Sequence, residues 1–512
     1  MAGDSAPAPR HRLDLPFAAA LGALQTVAYV APAVWWLQLA CVAALAWRLA
    51  VLAPARAALL GGVFGTAWVG AGTWWLFVSM HRYGGLPAWM AALAVLGLAA
   101  FLSLYLALAC GAFARWRSGR PAPDALLFAG GWLLAELARG EIFTGFPWVA
   151  SGYAQVDAPL GRLAPWLGVY GIGAVAAFVA AGSAFVARQG RGVRRGAGFA
   201  GAALVLLALG WTPVPEFTRP TGTLAVTLLQ GNVPQDEKFE VTHQAAALKW
   251  HLEALVAARG DLVVAPETAI PFLPQQMPEG VWEGLQAHFA GGATAALVGV
   301  PLGDEQAGYT NSAAGFAPGR PMYRYDKQHL VPFGEFIPRG FRWFTELMNI
   351  PLGDFNRGPL VAPSFEVKGE RIAPNICYED LFGEELAARF ADPAGAPTVL
   401  ANLTNIGWFG ETIAIPQHLN IARLRSLELQ RPMLRATNTG ATVVIDHRGV
   451  VRHALAPHTR GVLEGRVEGR EGLTPYARWA GAFGLWPLWA FGAALLGGAA
   501  WVARRTTGAG RD

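Results

Sequence analysis

The chain is 512 residues long, 54% hydrophobic and only 15% charged, with a formal net charge of +5. Soluble domains carry about 25% charged residues, and here the deficit is concentrated in residues 1–215 and 477–503, which are almost free of acids. That distribution excludes a wholly soluble protein and indicates a membrane protein with one large water-soluble insert; the modest charge, with no basic stripe among aromatics, excludes nucleic-acid binding.

Apolar runs long enough to span fall at roughly 15–31, 35–52, 57–79, 88–114, 123–139, 163–187 and 197–214, with a last one at 479–503. A span needs about 20 apolar residues, so about eight transmembrane helices are predicted. The first run is short and interrupted by Gln25, and the fifth carries Asp124 and Glu136. Glu136 and Arg139 lie three residues apart on one helix face, and a structural pair snorkelling at the exterior end is expected. No basic start with a small-residue cleavage site precedes the next span, so no cleaved signal peptide is expected. Arginines set the topology. Arg10, Arg12, Arg56, the Arg115/Arg117/Arg120 and Arg188/Arg191/Arg194/Arg195 groups and Arg504/Arg505 fall on one side. Seven spans then place residues 222–470 on the exterior face, and the eighth returns the chain.

The insert alternates strand-like and helix-like stretches. "GTLAVTLLQGN" (222–232), "DLVVAPET" (261–268), "TAALVGVPL", "ERIAPNICYED" (370–380) and "APTVLANLTN" read as strands. "THQAAALKWHLEALVAAR" (242–259), "GVWEGLQAHFA", "LFGEELAARFA" and "QHLNIARLRSLELQR" read as helices, and "ATVVIDHRGVV" as a late hairpin. Such alternation predicts a layered α/β domain.

Three polar residues in this insert can act together. Glu267 closes the buried strand of "VVAPET", where a carboxylate could serve as a base if burial raised its pKa; a helix cap or surface acid is the bland alternative. Lys327, in "YRYDKQHLVPFGEF" (323–336), is one of four lysines in the chain. A compact ammonium there suits an oxyanion, against the alternative of a solvated loop lysine. Cys377, in "PNICYED" (374–380), ends a strand and precedes a helix, a placement that favours a thiolate. A buried inert cysteine is the common alternative. The other two of the 3 cysteines, Cys41 and Cys110, lie in apolar runs, so the soluble part has no internal disulfide framework. Nucleophile, base and electrostatic partner, each beside a strand, make a complete acyl-transfer set. His243, His251, His288, His329 and His418 lack zinc-helix spacing, so no metal or other cofactor is expected.

With these residues in order, the chain resembles the nitrilase/carbon–nitrogen hydrolase superfamily, and within it the apolipoprotein N-acyltransferases of bacterial envelopes. The resemblance rests on "LVPFGEFIP" (330–338), "ICYED" (376–380), "NIGWFG" (405–410), "PQH" (416–418), "RPMLRATNTG" (431–440), "GLTPYAR" (472–478) and, outside the insert, "RGEIFTGFPW" (139–148). It implies a polytopic α-helical membrane domain (1–215), an extramembrane nitrilase-like α-β-β-α sandwich (222–470) and a closing transmembrane helix (477–505), in the bacterial inner membrane. It further implies that Cys377 takes an acyl chain from a phospholipid, usually phosphatidylethanolamine, as a thioester. The chain then passes to the N-terminal amine of a diacylglyceryl-cysteine on an apolipoprotein. Glu267 would be base in both steps and Lys327 the oxyanion partner. Glu335, Tyr378 and Glu379 match supporting positions of the family. Phe239 stands where the family has Trp, which keeps a ring and loses an indole N–H. No cofactor is implied, and a monomer is expected.

Loops near these motifs are unusually apolar. Trp343 and Phe344, and likewise Trp408 and Phe409, could dip into the outer leaflet and admit an acyl chain; equally, they could pack the domain on its own spans. A membrane-tethered amidase would use the same three residues with water as acceptor. A transporter with a binding domain would need repeated halves with broken spans, which are not seen.

Overall fold

The computed structural model describes residues 13–190, 194–236, 241–338 and 355–508. Phe239, Trp343 and Phe344 lie outside these described residues.

The N-terminal part is helical throughout: Asp14–Leu24, Val27–Val30, Trp36–Leu49, Pro54–Thr73, Ala88–Trp116, Pro121–Glu141, Ala164–Gln189 and Arg194–Trp211. Among the described residues four helices are long and apolar enough to cross a membrane, at Pro32–Leu49, Ala88–Trp116, Pro159–Gln189 and Trp486–Arg505. The expectation of about eight is therefore met only in part, and local causes explain the difference. The first run breaks at Gln25 and Thr26 into two pieces. The helix Pro121–Glu141 carries Asp124, Glu136, Arg139 and Glu141, and Arg194–Trp211 is short. The last run, 479–503, is not one helix. It breaks at Gly484, whose φ of 57° only glycine adopts without strain. Before the break, Pro475–Phe483 is capped by Thr474, whose hydroxyl accepts from the Ala477 amide at 3.0 Å. That helix buries Tyr476, Ala477 and Ala480. After it, Trp486–Gly508 lies on Pro121–Glu141, where Gly130 and Gly492 let Leu495 and Leu134 approach.

The pair Glu136–Arg139 forms at 3.1 Å, but both residues are buried. Glu136 Oε1 also accepts from the Ser151 amide (2.7 Å) and hydroxyl (3.0 Å), and the Arg139 guanidinium lies 5.0 Å from the Trp68 ring centroid. The expected snorkelling pair is instead an interior clasp, because the segment after the helix folds back over it.

Among the described residues twelve strands build two six-stranded sheets. In the first, β1 (Thr218–Gln230), β2 (Leu262–Val264), β3 (Ala295–Asp304), β4 (Gly308–Phe316), β5 (Tyr323–Asp326) and the returning β12 (Gly461–Gly472) run in the order β12-β1-β2-β3-β4-β5. In the second, β6 (Phe365–Val367), β7 (Glu370–Ile376), β8 (Val399–Thr404), β9 (Met433–Thr437), β10 (Val443–Ile445) and β11 (Val451–Ala454) run in the order β11-β10-β9-β8-β7-β6. The central strands β1-β2-β3 and β7-β8-β9 are parallel. All six residues of β8 are buried, as a strand covered on both faces requires. Leu224, Val226, Val264, Leu297, Ile372, Ile376, Leu403 and Leu434 fill the space between the sheets. On the outer face of the first sheet pack helices Val241–Ala257 and Val281–Gly291; on that of the second pack Gly383–Ala388, Ala414–Leu429 and Pro475–Phe483. The result is the predicted α-β-β-α order of layers. The helical part and the sandwich share one core, since Tyr378, Leu381, Phe382, Ile406, Ile421 and Leu424 join the cluster of the helical part.

Candidate active site

Cys377 follows directly on β7. Its φ is +52°, a left-handed conformation that costs a non-glycine residue free energy and turns the chain sharply out of the sheet. The five-residue 3₁₀ turn Cys377–Leu381 comes next, and only then the short helix Gly383–Ala388. The element that follows the thiol is thus a turn and a short helix, not the long helix expected from the sequence. Burial pushes the Cys377 thiol up, the Glu267 carboxylate adds to this, and the Lys327 ammonium only partly offsets it. The expected consequence is that iodoacetamide alkylates Cys377 about tenfold faster for each pH unit gained between 7 and 9, since only the thiolate reacts. A plateau already reached at pH 7 would contradict this.

Glu267 lies just past β2, where the chain also turns left-handed at Thr268 (φ 49°). Gly299 on β3 permits this close turn: a Cβ there would sit 2.3 Å from the Pro266 carbonyl and 2.7 Å from Glu267 Cα. Glu267 Oε1 accepts from Asn311 Nδ2 at 2.7 Å, and Oε2 from the Asn405 amide at 2.8 Å. One oxygen is thus held by the first sheet and the other by the loop after β8 in the second.

Lys327 comes directly after β5 and is 1% exposed. Its Nζ is 2.9 Å from Glu335 Oε1 and 3.5 Å from Glu267 Oε1. Burial alone would lower the ammonium, but Glu335, Glu267 and Cys377 outweigh it, so it stays charged far above neutral pH. Glu335 also accepts from Asn311 Nδ2 (2.7 Å) and, through Oε2, from the Val331 amide (2.8 Å). Asn311 thus bridges the two carboxylates that flank one ammonium. Sequence reasoning missed Asn311: a neutral amide inside a strand carries no signature of chemistry.

Glu379 ties the nucleophile turn to the lysine loop. It accepts from the Ile376 amide (2.6 Å), the Gln328 amide (2.7 Å), the His329 amide (3.2 Å) and the Tyr325 hydroxyl (2.8 Å). Burial raises its carboxyl, and these donors pull it back only in part. Tyr378 points the other way, and its hydroxyl donates to the Gly145 carbonyl at 3.0 Å. Gly145 has φ 79°, and a Cβ there would strike the Gly140 carbonyl. The "RGEIFTGFPW" segment can make this turn only with glycine at that position.

Of the rings proposed to admit lipid, the described ones rest on the helical part. Phe409 lies 4.2 Å from Trp75 and 6.1 Å from Trp148, and Trp408 meets Tyr83 edge-on at 5.8 Å. Packing on the protein's own helices therefore accounts for both. Next to them, Gln417 Oε1 accepts from the indole N–H of Trp148 (2.8 Å) and of Trp75 (3.1 Å). Among the described residues no group of three or more His, Cys, Asp or Glu could hold a metal ion.

Residues 21–182 match the profile of the apolipoprotein N-acyltransferase N-terminal domain, and residues 225–476 that of carbon-nitrogen hydrolase. The apolipoprotein N-acyltransferase of Verminephrobacter eiseniae is 55% identical over 502 residues, covering 92% of this chain and 93% of the relative. Those of Ralstonia nicotianae and Bordetella bronchiseptica are 47% and 45% identical, over 92% and 83% of this chain and 91% and 84% of their own.

Proposed function

The chain belongs to the apolipoprotein N-acyltransferase family, and on that premise we propose that it moves an acyl chain from a phospholipid, by way of a Cys377 thioester, to the N-terminal amine of a diacylglyceryl-cysteine on an apolipoprotein. The observation that carries this reading is that Glu267 and Lys327 lie 3.5 Å apart while Glu379 ties the Cys377 turn to the backbone just after Lys327. It works as a monomer in the bacterial inner membrane. Residues 1–215 and the helix from Trp486 are the embedded part and residues 222–470 the catalytic domain, and the arginine distribution supports an exterior face for that domain.

The chemistry follows from the charges. Desolvation and the Glu267 carboxylate push the Cys377 thiol up, so its proton must leave as it attacks. Glu267 takes the Sγ proton while sulfur bonds to the ester carbonyl carbon of the donor. The carbonyl oxygen becomes an oxyanion beside the Lys327 ammonium, which is fixed in place before the charge develops. The C–O bond then breaks, Glu267 returns its proton to the departing lyso-lipid alkoxide, and a thioester remains. In the second half the neutral amine of the acceptor attacks the thioester and gives its proton to Glu267. The C–S bond breaks and the sulfur is reprotonated. Glu335 and Asn311 keep the ammonium and carboxylate in register, and Glu379 keeps the turn against the lysine loop.

A diacylglyceryl-cysteine peptide with a free amine, supplied with phospholipid, is expected to gain one acyl chain on nitrogen. The same peptide N-acetylated is expected to gain none. Release of free fatty acid at the same rate with or without the peptide would mean that water is the acceptor and that the protein is a hydrolase of the amidase type.

A further inference from the structure

Beneath the nucleophile lies a buried polar cluster that the mechanism above does not use. Asp380 sits three residues after Cys377 on the same turn and is fully buried. Its Oδ1 is 2.7 Å from His418 Nε2, and its Oδ2 accepts from Arg435 of β9 at 3.0 Å. The same guanidinium nitrogen donates to Asn402 Oδ1 at 3.0 Å. Asn402, on β8, donates through Nδ2 to Asn375 Oδ1 (2.7 Å) and to the Cys377 carbonyl (3.3 Å). Thr404 adds a hydroxyl to Asn402 Oδ1 at 2.6 Å. The far end reaches the helical part, where the Trp148 ring lies 5.2 Å from that of His418. A buried ion pair is weak evidence for stability as such, so its position under a strained cysteine calls for another account.

We propose that Asp380, Arg435 and His418 form a positioning unit for the nucleophile, holding the left-handed turn at Cys377 and supplying through Arg435 a second cation to the sulfur when it becomes anionic. The unit rests on the acyl-transfer reading only for the reaction it serves. Its geometry is a chain of contacts from β9 and β8 to the Cys377 carbonyl, and from His418 to the helical part. The charged groups acting on the thiol are then Glu267 from the loop after β2, Lys327 and Glu335 from the segment after β5, Asp380 from its own turn and Arg435 from β9. His418 is driven towards its neutral form, by burial first and then by Arg435. It contributes shape and a hydrogen bond rather than charge.

The two members of the ion pair act on the sulfur with opposite sign, and a merely structural role would not. In the full-length detergent-solubilised protein, iodoacetamide alkylation of Cys377 at pH 8.5 reads the thiolate fraction without any lipid. Asp380→Asn is expected to speed alkylation at least threefold, and Arg435→Gln to slow it at least threefold, both read below the lowered melting temperature that breaking a buried pair brings. A shift of both in the same direction, or of neither, overturns the proposal. Should either variant fail to fold, Arg435→Lys decides. It keeps the charge on a side chain one bond shorter, which draws the donor back from Asp380 and Asn402, so alkylation stays within twofold of wild type while kcat for acyl transfer falls at unchanged KM. An Arg435→Lys variant with wild-type kcat overturns the proposal. If the wild-type protein forms no acyl adduct at all, the acyl-transfer reading fails instead, and the alkylation rates still decide whether the pair sets the thiol.

Discussion

Replacing Lys327 with Met is expected to damage both folding and turnover. The ammonium is almost fully buried and is the counter-charge to both Glu267 and Glu335. Removing it leaves two carboxylates joined through Asn311 with no cation between them. Breaking a buried pair in this way costs about 3–5 kcal/mol. The variant should therefore melt several degrees lower, and its melting point should recover in part as pH falls and a carboxylate takes up a proton. Loss of a preorganised oxyanion partner adds a drop of about 10²–10³ in turnover for the fraction that folds. Thermal unfolding together with acyl transfer to a lipopeptide reads both effects. An unchanged melting temperature would mean that the lysine is solvated and that the ion cluster does not exist.

Glu267→Gln is expected to separate chemistry from folding. The amide keeps the shape, and its oxygen can still accept from Asn405 or Asn311, while Lys327 retains Glu335. The amide NH2 then faces the other donor, so stability should fall by about 1–3 kcal/mol, less than on loss of Lys327. The proton acceptor is lost, and general-base loss of this kind costs about 10²–10⁴ in rate. Because the resting group is a thiol, raising the pH should restore part of the first half-reaction as hydroxide generates thiolate. A variant that keeps wild-type turnover at pH 7 would remove Glu267 from the role of base.

The candidate site was legible in the sequence where chemistry and position coincide. Glu267, Lys327 and Cys377 each stand where a strand stops, and each is of a type that acyl transfer needs. The groups that hold them were not legible, because Asn311 and Asn402 are neutral amides within strands whose meaning depends on which strand lies alongside. His418 stood out only as one scattered histidine, and its partner Asp380 lies 38 positions earlier. The sequence suggested a helix after Cys377, whereas a 3₁₀ turn follows, and desolvation with the Glu267 carboxylate pushes the thiol up. Strands β1, β3 and β8 were visible as apolar runs. Strand β12, "GVLEGRVEGREG", was not, because an edge strand half open to water reads as polar loop. The count of spans is met only in part, because Gln25 breaks one run and the charges of Pro121–Glu141 polarise another, while Gly484 shortens the last without removing it.

The most direct test is the intact mass of the purified protein after incubation with phosphatidylethanolamine, beside a Cys377→Ala variant. The predicted result is a hydroxylamine-labile adduct of one acyl chain on the wild type and none on the variant, with an equivalent of lyso-lipid released. Lyso-lipid release without an adduct, or an adduct that persists when Cys377 is absent, would contradict the claim that this thiol carries the acyl chain.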